Sequence, residues 1–117
     1  IRAVAAGVCD VAITNSYYFI RMATGEDQAD KAVASRLRLA FPILDGQGSH
    51  VNISGAGVAA NAPNKANAVR LLEFFASPAA QEHFARYNNE YPVSPSVKAP
   101  APVDAYADFQ AHPMSVA

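Results

Sequence analysis

The chain has 117 residues and a mass of 12.4 kDa, one domain's worth of sequence, which excludes a large multidomain enzyme. Apolar residues make up 51% and charged residues 16%, below the roughly 25% charged of an ordinary soluble domain, so a buried core under a sparsely charged surface is expected. Nine basic residues against ten acidic ones give a net charge of -1; with no basic face for a phosphate backbone, nucleic acid is not an expected partner.

Cys9, the one cysteine, cannot pair within the chain and sits in the apolar run Val8 to Val11 as a small hydrophobe. The apolar stretches are broken by Asp10, Asn15, Ser16 and Arg21 before the roughly 18 residues that a bilayer span requires. The chain starts Ile1-Arg2-Ala3-Val4, with no initiator Met and no basic-then-apolar secretory layout. It therefore reads as a piece of something longer, with no signal peptide in this chain.

In chain order, Ile1 to Gly7 is predicted to be the end of a helix stopped by Gly7. Val8 to Thr14, short and β-branched, reads as a buried strand. Ser16 is a natural N-cap for a helix from Tyr17 to about Ala23, which puts Tyr17 and Tyr18 on a first helical turn at the end of a strand. Glu26 to Arg36 has the pattern of a solvent-facing helix. Leu37 to Phe41 is a strand ended by Pro42, Asp45 to Ser49 is a loop, and His50 to Ser54 resumes a β pattern until Gly55-Ala56-Gly57 interrupts it. The clearest element is a helix capped by Asn61 or Asn64, with Ala68, Leu71, Leu72, Phe75 and Ala76 in one apolar stripe. Ser77-Pro78 starts another, with Phe84 and Tyr87 on its apolar side. Five of the eight prolines fall at positions 92, 95, 100, 102 and 113, which predicts an extended, surface-hugging tail with a short helix near Val103 to Phe109. Alternating strands and helices imply an α/β layered fold with parallel pairing. Three strands cannot cover four helices, so the core is expected to need further chain or another copy of itself.

Asn15-Ser16-Tyr17-Tyr18 is the most unusual local feature. The positive end of a helix dipole favours phenolate, and free first-turn amides can hold an anion. A phenolate oxygen is a hard anionic ligand suited to a hard cation such as ferric iron. Two half-buried rim aromatics would satisfy the same spacing. Gly55-Ala56-Gly57 lacks the third glycine and the Lys-Ser/Thr pair of a nucleotide loop, so it is assigned to a strand and hinge. Ser49 and His50 are adjacent on a strand, point to opposite faces, and cannot act as nucleophile and base. His83, on a short helix amid Gln81, Glu82 and Arg86, reads as solvated, His112 lies in the tail with no partner spacing, and no catalytic residue is assigned.

The runs Asp10 to Tyr18 (DVAITNSYY), Phe41 to Val58 (FPILDGQGSHVNISGAGV), Asn64 to Ser77 (NKANAVRLLEFFAS) and Glu90 to Val93 (EYPV) resemble the C-terminal part of the ferric-iron-binding periplasmic proteins of ABC transporters. The resemblance extends from Ile1 to about Phe109, and the tandem tyrosine after a strand-end Asn is its most specific element. It implies part of a two-lobed periplasmic-binding-protein fold of type II, with three-layer α/β lobes and cargo bound in the cleft between them. Residues 1–48 would belong to the C-terminal lobe, 49–95 would be a crossing strand and helices returning to the other lobe, and 96–117 the Pro-rich tail. Tyr17 and Tyr18 would ligate Fe3+, and Asn15 would help hold a synergistic anion, phosphate or carbonate.

The implied partner is an ABC transporter permease in the inner membrane. The implied location is the periplasm, or the cell surface for a lipoprotein, and the implied role is binding rather than catalysis. Two alternatives stay open. One is a related binding protein for a small anion such as phosphonate or sulfate, with the tyrosines merely walling the pocket; the other is a fragment without function of its own that associates with itself.

Overall fold

The computed structural model describes residues 1–113. Its helices are α1 (Arg2–Ala5), α2 (Ser16–Thr24), α3 (Gln28–Ala34), α4 (Lys65–Phe75), α5 (Pro78–Asn88) and α6 (Ala101–Asp104). Local chemistry sets their ends. Gly7 takes a φ of 73°, left-handed backbone suited to a residue without Cβ, and the Gly7 and Val8 amides reach back to the Val4 and Ala3 carbonyls at 3.0 Å. The cap of α2 is Asn15 rather than the predicted Ser16, with φ -73° and ψ 141°. Asn and Ser are equally good caps, and the bond from the Tyr18 amide to the Asn15 carbonyl at 3.2 Å decides between them.

Asp27 caps α3 by accepting from the Ala29 and Asp30 amides at 2.7 and 3.3 Å, so this helix starts later than predicted and ends at Ala34. The break between α4 and α5 is sharp because Ser77 accepts from the Ala80 amide at 3.4 Å and Pro78 occupies the first helical position.

The main core lies where α2 packs on α3 and α6. Ile20 and Val103 expose 0% of their surface, and Phe19 and Ala34 are buried beside them in the same group of helices. Burying a side chain of the size of Ile20 or Val103 is worth about 1.5–3 kcal/mol each. Phe19 meets the Tyr106 ring edge-on at 5.8 Å. α1 closes on α3, where the Arg2 guanidinium pairs with Asp30. A second cluster joins α4 to α5 through Ala80, Ala85 and the edge-to-face pair Phe75 and Phe84 at 5.5 Å. Gln81 ties this hairpin together, donating to the Phe75 carbonyl at 2.8 Å and accepting from the Val93 amide at 3.0 Å.

The expected strands form no sheet, and bends at Val8 and Asp10 interrupt the first of them. Val8–Thr14, Leu37–Phe41 and His50–Ser54 form no ladder among the described residues, and the paired positions are the isolated bridges Leu44 with Gly48 and Ser49 with Ala111. A strand is completed by its neighbour, and these have none: Val11 is 81% and Ile13 102% exposed. The three-layer α/β arrangement is therefore not formed within this stretch. The stripe on α4 is only partly covered, with Leu71 about half exposed and no residue of the helix buried; Phe74, off the stripe, is about half exposed as well.

The C-terminal segment also departs from the prediction. Its helix lies at Ala101–Asp104, and Val103 is a core residue rather than part of a surface-hugging tail. Pro102 is tolerated there because a first-turn residue has no helical amide bond to lose. The last four residues of the tail, 114–117, lie outside the described residues.

Residues 48–49 and 110–112 are joined in parallel. The Ser49 amide donates to the Gln110 carbonyl and the His112 amide to the Ser49 carbonyl, both at 2.8 Å, while Ser49 Oγ donates to the Pro42 carbonyl at 2.7 Å. Gly48 makes this approach feasible. Its φ is 142°, and a Cβ there would lie 2.5 Å from the Gln110 carbonyl oxygen.

The accessible surface is 8712 Å², against about 6,100 Å² for a compact monomer of this mass. The radius of gyration is 17.1 Å, against about 13 Å for a compact chain of this length. Both excesses match the exposed apolar segments.

Gly48→Ala is expected to destabilise the fold by about 1–3 kcal/mol in urea unfolding, because it adds strain and opens the 49–111 junction. Gly55→Ala, where a Cβ meets nothing within 4 Å, should change stability by less than about 0.5 kcal/mol. Equal effects at the two sites would refute the close-approach argument.

Candidate functional site

The start of α2 brings Asn15, Tyr17 and Tyr18 together. Asn15 sits at the cap in extended backbone, but its side chain makes no cap bond. Instead Asn15 Nδ2 donates to Tyr17 Oη at 3.2 Å. The Tyr17 and Tyr18 rings lie 4.3 Å apart at 45°, and Tyr18 is 47% exposed. The two phenols therefore share one surface, with the first-turn amides uncapped by any side chain and no acidic residue in that turn. The positive helix end thus remains available to negative charge.

The Tyr18 hydroxyl is harder to ionise than ordinary tyrosine. Its hydrogen bond with Tyr17 is the largest cause, followed by repulsion from the Tyr17 phenolate and by partial desolvation; Arg21, one turn further along α2, works in the opposite direction. A multiply charged cation between the two oxygens would reverse the repulsion, since it attracts both phenolates at once. Among the described residues, no group of three or more His, Cys, Asp and Glu side chains could hold a metal ion.

Other candidates fall elsewhere. Cys9 is exposed rather than buried, because the segment that carries it has no sheet around it. His50 is exposed while Ser49 is buried and bonded to Pro42. His83 stacks on Tyr87 at 4.5 Å on the outer side of α5. His112 is half-buried, and its Nδ1 has no hydrogen-bond partner among the described residues. Gly55 and Gly57 lie in open extended backbone without positive φ.

Sequence reasoning gave Tyr91 no role beyond a packed edge. It is half-buried, donates through Oη to the Tyr106 carbonyl at 2.8 Å, and meets the Phe109 ring at 5.4 Å. Arg21 was likewise passed over, although its spacing from Tyr17 and Tyr18, one helical turn, was readable in the sequence. No helix among the described residues is long and apolar enough to cross a membrane.

Residues 5–111 match the family model described as bacterial extracellular solute-binding protein. The chain belongs to this family. It is 48% identical to iron uptake protein A2 of Synechocystis, over 99% of this chain and 34% of that protein. Iron uptake protein A1 of the same organism is 40% identical, over 99% of this chain and 32% of its own length. Among solved structures, a Trichodesmium protein in complex with iron and citrate ligands superposes with a TM-score of 0.86 at 43% identity, over 95% of this chain and 35% of that one. The ferric binding protein of Bordetella gives 0.80 at 40% identity, over 95% and 35%. The chain thus spans about a third of the length of the relatives it matches, and its fold is the corresponding part of theirs.

The coupling between the two phenols gives a direct test. Tyr17→Phe removes both of the largest causes that raise Tyr18, so Tyr18 should ionise at lower pH in a near-ultraviolet titration. Arg21→Ala should shift Tyr18 the other way. A Tyr18 titration indifferent to Tyr17→Phe would mean that the hydroxyls do not interact.

Proposed function

We propose that this chain is the C-terminal portion of a two-lobed, periplasmic solute-binding protein that captures ferric iron for an ABC-type uptake system. The observation that carries the reading is the pair of adjacent phenols at an uncapped helix start, in a chain closely similar to iron uptake proteins. Tyr17 and Tyr18 are the iron ligands in this reading. Asn15 and the first-turn amides of α2 help hold a synergistic anion, phosphate or carbonate, where the helix dipole favours it.

Residues 1–48 form part of the C-terminal lobe, and 49–95 supply a crossing strand and the helices that return to the other lobe. Residues 96–117 are the Pro-rich tail. The remaining ligands come from the rest of the protein, since two phenolates fill only part of the metal's coordination sphere. The protein binds and releases rather than catalyses, and a permease in the inner membrane receives the cargo. Opening of the lobes separates the ligand sets, and protons return to the phenolates as iron leaves.

Phenolate ligation sets the sign of the pH dependence. Each phenol, with an ordinary pKa near 10, must lose its proton to bind, so metal and protons compete and iron affinity falls as pH falls. The raised pKa of Tyr18 in the metal-free chain strengthens that competition.

The deciding experiment is a visible-absorbance titration with chelated ferric iron on the whole protein and on this chain. A phenolate-to-iron charge-transfer band that is lost in both Tyr17→Phe and Tyr18→Phe is expected, together with affinity that weakens steadily through the acid range. No band in the whole protein, or affinity independent of pH, would remove the ferric reading.

The uncapped amides of α2 also favour a second reading, a small anion such as phosphonate or sulfate held at the helix start. Tyr17→Phe would then leave anion binding intact. In either reading the exposed apolar segments are covered by the rest of the protein, and this chain prepared alone covers them by associating with itself. Size-exclusion mass above 12.4 kDa is the expected result, and a clean monomer would contradict it.

A further inference from the structure

The tyrosine pair needs a fixed direction, and α2 alone does not supply one. Its first turn has no side-chain cap, and Asn15, the residue placed to provide it, is bonded to Tyr17 instead. Part of the bracing comes from the neighbouring α3, and part from chain more than seventy residues away. Tyr106 packs edge-on against Phe19, the residue directly after Tyr18, and Val103 one turn earlier is fully buried where α6 meets α2.

The turn that presents Tyr106 is short and irregular, running on from α6 through the bond from the Ala107 amide to the Asp104 carbonyl. One side chain holds it from outside: Tyr91 Oη donates to the Tyr106 carbonyl at 2.8 Å. The Tyr91 ring is itself fixed against Phe109, which stacks on Phe41 at 4.3 Å and 15°. Burial raises the Tyr91 pKa, with Ser16 opposing, so the hydroxyl keeps its proton and remains a donor at neutral pH.

We infer that Tyr91 is a positioning residue for the Tyr17–Tyr18 pair: its hydroxyl holds the Tyr106 turn against Phe19 and so fixes the first turn of α2 without touching the cargo. The inference rests on the tyrosine-pair reading above. It gives a role to the EYPV run, where an aromatic ring alone would suffice for packing and a phenol is present.

The test is Tyr91→Phe in the whole protein, which keeps the ring and removes only the hydroxyl. Two quantities are read: amide hydrogen exchange at Tyr18, Phe19 and Ile20 without iron, and the ferric dissociation rate followed through the charge-transfer band. Loss of one such bond should speed exchange at these amides by about five-fold while α4 and α5 are unchanged, and should speed iron release to a similar extent. Tyr87→Phe, an exposed phenol on α5, should alter neither.

Unchanged exchange at α2 would overturn the proposal. So would faster exchange throughout the protein, which marks a general stability effect, and so would altered exchange with an unaltered iron rate. If Tyr91→Phe does not fold, Phe109→Leu loosens the same ring while keeping its hydroxyl and is judged by the same two readouts. A parent protein with no charge-transfer band would defeat the ferric reading itself; the brace would then be judged by exchange at α2 alone.

Discussion

The burial of Ile20 and Val103 where α2 meets α3 and α6 governs the geometry of this chain. α2 is nine residues long, too short to hold its shape in water without tertiary packing. Its inner face carries Phe19 and Ile20 into the core, and its outer face presents Tyr18 to solvent. Adjacent residues on a helix diverge by about 100°, so immobilising Phe19 also sets where its neighbour points. The phenol pair is thus oriented by hydrophobic contacts on the opposite side of the same turn.

The same core leaves two apolar faces uncovered. Helices are closed hydrogen-bonding units, since their ladders are internal, and they persist here without a sheet. Open segments have no such ladder, and Cys9 to Ile13 leaves both its backbone groups and its apolar side chains exposed. α4 tells the same story with side chains only, its Leu71 and Phe74 facing outward. The chain matches about a third of each relative's length.

Helix ends were the most legible part of the sequence because they are set locally, as at Gly7 and Ser77-Pro78, although the Asp27 cap of α3 was not foreseen. The shift from Ser16 to Asn15 at α2 shows the limit, since two equal caps stood side by side. The strand assignments at Val8–Thr14, Leu37–Phe41 and His50–Ser54 were not met, because pairing depends on partners that no local pattern contains. α6 was misplaced because prolines suggested a detached tail, whereas Pro102 fits a first turn and Val103 fills a core position contributed by distant residues. At the site, the residue types and the helix start were readable at Asn15, Tyr17 and Tyr18. The bond from Asn15 to Tyr17 was not, nor was Tyr91, because contact with Tyr106 across fifteen residues has no signature in spacing.

Gln81 carries a mechanical consequence. Its amide group takes the last carbonyl of α4 at one end and the Val93 amide at the other, so the helical hairpin and the segment beginning at Asn89 are clamped as one lever. Tyr91 lies inside that clamped segment. A tilt of α4 would pull on the Val93 amide through Gln81, two residues along the backbone from Tyr91.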